Sequence, residues 1–495
     1  MTGAETRTAS LGDRAARGSS IVLASQALKA FLQFVSLILL ARLLTPSDFG
    51  LVAMVTSVIG IADLLRDFGL SSAAIQSKTL SKDERTNLFW ANCAFGGLCT
   101  ALVSAAAPLI ALVYGRSDLV PITLAMAWVF LLSGINTQFR ADLTRSMRYT
   151  SLAMSDVVSQ AAALGIAIVL ALTGFGVWAI IVQQISSALL GLLINVVSTR
   201  WVPGWPRRGV SLRRFFRFGS SLFATQALTF LTKNVDNIAL GIVSGPHQLG
   251  FYSRAYQLLM APLNQINAPM TGVALPVLSR VQDDDERFQR YLSRAQLVAC
   301  YLTASVFAVS AGVAEPLVRL LFGPVWHPVA GIFAVLAIGG IFRSIQQIAF
   351  WTYLARDRTA AQLRMILVTR PLMILMILAG LPWGPLGVAV GHSVAYFLFW
   401  LVSTVHVGRV TGVDSGMLIR NAGRPVLVVC MPAGLLAFAA TLLPVVPIAQ
   451  LGLGVLAALL WFGLIALVHR SVREDVAILV TFVRRAFGGK LRPAR

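Results

Sequence analysis

The chain has 495 residues, 57% of them hydrophobic and only 12% charged, and a mean hydropathy of +0.77, values outside the range of soluble globular proteins. The formal net charge of +21 would suit a nucleic-acid binder, but the basic residues lie mostly in the loops and tails of an apolar chain. Their natural partners are anionic membrane lipids, and no nucleic acid is called for. The composition is that of an all-α polytopic membrane protein.

Apolar runs of about 20 residues, enough to cross a bilayer, predict fourteen spans: 18–43, 48–75, 87–113, 119–138, 153–173, 176–199, 216–243, 249–279, 295–314, 328–354, 360–382, 385–408, 423–446 and 450–469. Arg7, Arg14 and Arg17 precede the first span and imitate a signal peptide. That apolar run is too long for an h-region and lacks an A-x-A cleavage site, so the span is read as uncleaved. Setting aside those near span ends, six of the 41 Lys and Arg are intramembrane, and only Arg42, Arg116 and Arg319 fall in or beside the loops opposite the basic ones. The positive-inside rule then predicts two cytoplasmic termini in a bacterial inner membrane protein.

The intramembrane cations are Lys29, Arg66, Lys233, Arg254, Arg343 and Arg370. Each costs about 2.5 to 3.5 kcal/mol at a bilayer centre, so a hydrated, anion-attracting cavity is expected around them. In span 1, Gln26, Lys29 and Gln33 are spaced three and four apart and share one helix face. Span 2 carries Asp63, Arg66 and Asp67 at helical spacing, which fits either a local ion pair or a cavity wall. Span 7 repeats the pattern with Gln226, Lys233, Asn234, Asp236 and Asn237, and span 8 opens with Arg254. Lys29 has no acid in its own span; Arg343 and Arg370 lack same-helix partners and have backbone carbonyls or Asp156 as alternatives.

The chain is internally repeated. A shift of 200 residues lays Ala24 to Leu28 on Ala224 to Leu228, carries Pro46 onto Pro246 and Gly50 onto Gly250, and leaves nine of 27 positions identical. A shift of 208 pairs Pro108 to Gly115 with Pro316 to Gly323. A six-span unit enters the membrane twice with the same polarity, so the repeats are parallel and the substrate path is expected between them. The expected organisation is a tail (1–17), an N-lobe (18–200), a connector (201–215), a C-lobe (216–410), two extra spans (411–470) and a basic tail (471–495). The connector W-V-P-G-W-P-R-R (Trp201 to Arg208) has the amphipathic character of a membrane-surface segment.

Catalytic signatures are absent from the sequence. Asp283 to Glu286 reads as a solvated charge run, the five histidines show no metal-binding spacing, and Cys93, Cys99, Cys300 and Cys430 read as small core residues. Neither a metal nor a cofactor is expected, and neither is an enzymatic activity.

Four stretches carry a family likeness. They are N-V-D-N-I-A-L-G (Asn234 to Gly241) followed by L-G-F-Y-S-R-A-Y-Q-L (Leu249 to Leu258), P-L-N-Q-I (Pro262 to Ile266) and L-P-V-L-S-R-V-Q (Leu275 to Gln282); L-F-G-P-V-W (Leu321 to Trp326); L-L-T-P-S-D-F-G (Leu43 to Gly50); and F-G-L-S-S-A-A-I-Q (Phe68 to Gln76). Together they resemble the Wzx-type oligosaccharide flippases, the polysaccharide transport group of the multidrug/oligosaccharidyl-lipid/polysaccharide exporter superfamily. The resemblance implies a MATE-like fold of about fourteen helices, two six-helix lobes and a C-terminal pair. It also implies a cargo, a polyprenyl-diphosphate-linked oligosaccharide for lipopolysaccharide, capsule or exopolysaccharide, admitted through a gap involving spans 1 and 8.

On this reading Lys29, Arg66, Lys233 and Arg254 hold the headgroup, while Gln26, Gln226 and Asn234 meet sugar hydroxyls. Asp63, Asp67 and Asp236 are the candidates for ion coupling. A polysaccharide polymerase and export machinery are the implied protein partners. The competing readings are a membrane glycosyltransferase or polymerase, a lipid-linked peptidoglycan precursor flippase, and a multidrug exporter of the same superfamily.

Overall fold

A computed structural model describes residues 2–67, 81–207 and 213–477, and every regular element among them is helical. The chain is a multi-pass membrane protein, with ten helical stretches long and apolar enough to cross a bilayer. One of these, Thr359–Thr411, contains two helices; with the shorter Pro46–Asp67 helix and the two arms of Arg213–Arg280 they account for fourteen spans. Two compact units form, Met1–Gly250 and Phe251–Arg495.

The first unit contains α1 (Thr2–Leu43), α2 (Pro46–Asp67), α3 (Lys82–Tyr114), α4 (Leu119–Arg145), α5 (Tyr149–Leu172), α6 (Val177–Thr199) and the opening arm of α7 (Arg213–Arg280). Local chemistry sets the helix starts. Thr45 and Asp48 exchange side-chain-to-backbone hydrogen bonds across the first turn of α2, with Pro46 at its first position. Ser81 and Glu84 do the same for α3, which stops where Gly115 adopts φ 66. α3 and α4 cross closely because glycines face each other: a Cβ on Gly134 would meet the Asn92 carbonyl oxygen at 2.8 Å, and one on Gly96 would meet that of Phe130 at 2.9 Å.

The arm of α7 packs on this unit through the turn at Gly245, whose φ of 75 breaks the helix. A side chain on Gly50 would overlap the Pro246 carbonyl, and one on Gly250 would overlap that of Pro46. These contacts explain why the compact unit extends past the 201–215 connector to Gly250.

The connector itself has no helical structure over 201–207. Asn87 donates from Nδ2 to the Arg207 carbonyl at 2.8 Å and accepts from the Arg207 N–H at 2.8 Å, and Trp90 Nε1 donates to the Gly204 carbonyl at 2.9 Å. Trp201 packs its ring beside Phe89 and Phe139, with the Arg85 guanidinium over it at 3.9 Å. The segment is thus strapped to the start of α3.

The second unit continues α7 from Phe251 and adds α8 (Asp285–Gly312), α9 (Ala314–Phe322), α10 (His327–Ile345), α11 (Gln347–Ala355), α12 (Thr359–Ala379), α13 (Gly384–Thr411), α14 (Ser415–Arg424), α15 (Met431–Thr441) and α16 (Pro447–Val468). A π-helical turn, Pro425–Cys430, joins α14 to α15. Leu459 and Leu460 of α16 are exposed, as a lipid-facing helix requires. After α16 the helical segment 470–477 returns to the unit, where buried Asp475 accepts from the Tyr301 hydroxyl at 2.9 Å and pairs with Arg424.

Candidate functional site

Polar side chains in the first unit converge on one carboxylate. Asp156, in the second turn of α5, accepts from Arg140 Nη1 at 2.5 Å and Arg140 Nη2 at 3.2 Å, a two-pronged pairing that fixes the guanidinium plane. Lys29 of α1 places Nζ 3.8 Å from Oδ2 of the same carboxylate. Two cations thus share one anion, and the cluster is net positive. Its members are only partly buried, with side-chain exposures of 36% for Lys29, 39% for Arg140 and 21% for Asp156.

Arg140 is a residue that the span boundaries concealed. The fourth span was expected to end at 138, whereas α4 runs to Arg145 and carries Arg140 and Asp142 inside the helix. The signal was available: Ser133, Asn136, Thr137 and Arg140 lie three, four and seven residues apart, a helical stripe. Each of the last three has a partner on another helix. Asn136 Oδ1 accepts from Asn195 Nδ2 of α6 at 2.9 Å, and Thr137 Oγ1 accepts from Arg66 Nη1 of α2 at 3.1 Å. Arg66 and Arg140 are therefore brought to neighbouring turns of α4. Two residues further, Asp142 is held by Arg85 Nη2 at 3.0 Å.

The face of α1 that carries Lys29 continues to Ser36, whose Oγ accepts from Gln183 Nε2 of α6 at 2.9 Å. Gln26 and Gln33 are exposed on that helix. Asp156 is the acid that Lys29 lacks in its own span, and it is occupied by Lys29 and Arg140; Arg343 and Arg370, which belong to the second unit, have other neighbours. Arg343 donates to the Tyr256 hydroxyl at 3.0 Å and lies over the Tyr396 ring, and Arg370 lies over the Phe399 ring at 5.1 Å. Such contacts hold a guanidinium against an aromatic face at moderate cost.

The span 7 candidates divide. Asn234 Nδ2 donates to the Phe230 carbonyl of its own helix at 2.9 Å, and Asp236, only 4% exposed, accepts from the Asn237 N–H at 2.8 Å. Arg254 is half-buried in the second unit's part of α7. The side chains of Asp63, Asp67, Gln226 and Lys233 lie outside the described residues.

Comparison with known proteins fits this architecture. The chain is 26% identical over 380 residues, 76% of each chain, to the lipopolysaccharide biosynthesis protein WzxC of Escherichia coli. Its fold is similar to that of the Lipid II flippase MurJ in an inward closed conformation, with a TM-score of 0.64 and 14% identity over 90% of this chain and 98% of the other. It is also similar to an inward-facing multidrug resistance MATE family transporter of the MOP superfamily, with a TM-score of 0.59 and 15% identity over 78% of this chain and 96% of the other. The fold is MATE-like. Residues 39–331, more than half the chain, match the model of the family described as "Polysaccharide biosynthesis protein", and the chain belongs to that family.

Proposed function

We propose that this protein is a flippase that moves polyprenyl-diphosphate-linked oligosaccharide units from the cytoplasmic to the outer leaflet for surface polysaccharide assembly, working by alternating access. The observation that carries the reading is the cationic cluster on membrane-spanning helices, in which Lys29 and Arg140 share the single carboxylate of Asp156. A doubly ionised headgroup needs cations, and its sugars need hydrogen-bonding groups such as Asn and Gln. The polyprenyl chain stays in the lipid, so the protein has only the polar head to shelter. Family membership and the likeness to WzxC support surface polysaccharide as the destination.

In this proposal Lys29 and Arg66 hold the diphosphate together with Arg140, and Lys233 and Arg254 extend the path. Gln26, Gln226 and Asn234 meet hydroxyls, and Asp63, Asp67 and Asp236 are the candidates for carrying coupled ions. The protein resides in a bacterial inner membrane with both termini cytoplasmic, catalyses no covalent step, and hands its cargo to a polymerase and export machinery. A potential that is negative inside favours outward movement of each negative charge by about 2.3 kcal/mol per 100 mV, so the cargo needs no ATP.

Vesicles containing the purified protein and a fluorescent polyprenyl-diphosphate oligosaccharide test this. The expected result is flipping by the wild type and its loss in Lys29→Ala and Arg66→Ala. A wild type that leaves the probe in its original leaflet overturns the reading, and equal flipping by both variants overturns the residue assignment. Loss of one surface polysaccharide on deletion of the gene, without cell-wall failure, separates this cargo from a peptidoglycan precursor.

A further inference from the structure

Asp156 is gripped unequally by its two cations. Arg140 engages both carboxylate oxygens, whereas Lys29 reaches only Oδ2, at 3.8 Å. A guanidinium fork matched to a carboxylate is geometrically committed, while an ammonium on a four-carbon stem is a point charge that is easily re-aimed. Both cations are more exposed than the carboxylate between them, at 36% and 39% against 21%. An anion arriving at this cluster meets Lys29 and Arg140 first. Asp142, the carboxylate that α4 itself carries, is occupied by Arg85 at 3.0 Å, so Asp156 of α5 is the resident anion.

We propose that Asp156 is a built-in competitor for the cargo's diphosphate: it holds Lys29 while the site is empty, yields it to a phosphate oxygen on loading, and recovers it on release. Carboxylate and phosphate oxygens both carry the negative charge an ammonium seeks, so the exchange replaces a loose ion pair at 3.8 Å with an ion pair to phosphate. The like charge of Asp156 keeps affinity for the diphosphate moderate. A translocation site must bind well enough to load and weakly enough to unload. This role rests on the flippase reading and adds to it a residue that sets the balance between affinity and turnover.

The test measures binding of inorganic pyrophosphate to the full-length purified protein by calorimetry, alongside flipping of the fluorescent lipid in vesicles. Asp156→Asn keeps the shape and removes the charge; Asp156→Ser serves in its place should the Asn variant not fold. The expected result is pyrophosphate binding about tenfold tighter than wild type, the effect of removing one adjacent like charge, together with slower flipping at saturating lipid. Adding Lys29→Gln should cancel the gain. Unchanged or weaker pyrophosphate binding by the neutral variant overturns the competitor role, even where the wild type binds and flips. A wild type that neither binds pyrophosphate nor flips lipid overturns the competitor role and the flippase reading together.

Discussion

Gly50 lies against the carbonyl of Pro246, and the contact recurs with the roles exchanged where Gly250 lies against Pro46. These are the four positions that a 200-residue shift superimposes in the sequence. Reciprocal contacts between equivalent residues are what a local two-fold relation produces. The helix starts at Pro46 and Pro246 approach so closely that each glycine leaves no room for a methyl group.

Gly50→Ala and Gly250→Ala are each expected to destabilise the protein by about 1 to 3 kcal/mol, because the added atom meets rigid backbone and not a side chain that can swing away. Gly97→Ala is the control: nothing lies within 4 Å of its Cβ position, and the helix gains propensity. Thermal unfolding in detergent reads the difference. Equal midpoints for Gly50→Ala and Gly97→Ala would remove the close contact from the account.

Arg140→Gln leaves Asp156 with only the looser Lys29 contact. Because the pair is partly exposed, the stability cost is expected to be on the order of 1 to 2 kcal/mol, between surface and buried ion pairs. Flipping in vesicles should fall at least about tenfold, the loss of one charge-assisted interaction. Arg140→Lys keeps the charge without the fork and should retain intermediate activity. Wild-type flipping by Arg140→Gln would exclude this residue from the headgroup site.

Asn87 holds both the carbonyl and the N–H of Arg207. Replacing it by Ala removes two hydrogen bonds worth about 0.5 to 1.5 kcal/mol each and should free the connector without unfolding the helices. Limited trypsin digestion is the readout, with faster cleavage after Arg207 than in the wild type. A digestion rate unaffected by the substitution would mean that the Trp90 and Trp201 contacts, with the Arg207–Asp83 ion pair at 3.2 Å, suffice to hold the strap.

Asp475, only 4% exposed, ties the segment 470–477 to Tyr301 and Arg424. Asp475→Asn should cost about 1 to 3 kcal/mol, since a partly covered guanidinium loses its counter-ion. Tyr301→Phe removes the neutral donor and should cost less. Thermal unfolding of the two variants, compared with the wild type, checks the order; a larger loss for Tyr301→Phe would contradict it.

Span number, helical class and internal repetition were legible in the sequence, since a bilayer forces backbone hydrogen bonding into runs of about 20 apolar residues that can be read locally. The end of the fourth span was not: Arg140 and Asp142 depress local hydropathy and hide the last turns of α4, although the polar stripe from Ser133 to Arg140 has a helical period. The connector read as a surface segment from its composition, and its attachment to Asn87 and Trp90 of α3 is a tertiary contact that composition does not carry.

By itself the sequence determined that this chain crosses the membrane many times, in two related halves, with cations where lipid alone would not tolerate them. Only the tertiary structure decided which acid answers Lys29. Asp156 lies four helices along the chain, and no periodicity links residues on different helices; the packing of α1 and α4 beside α5 brings Lys29, Arg140 and Asp156 within reach of one another.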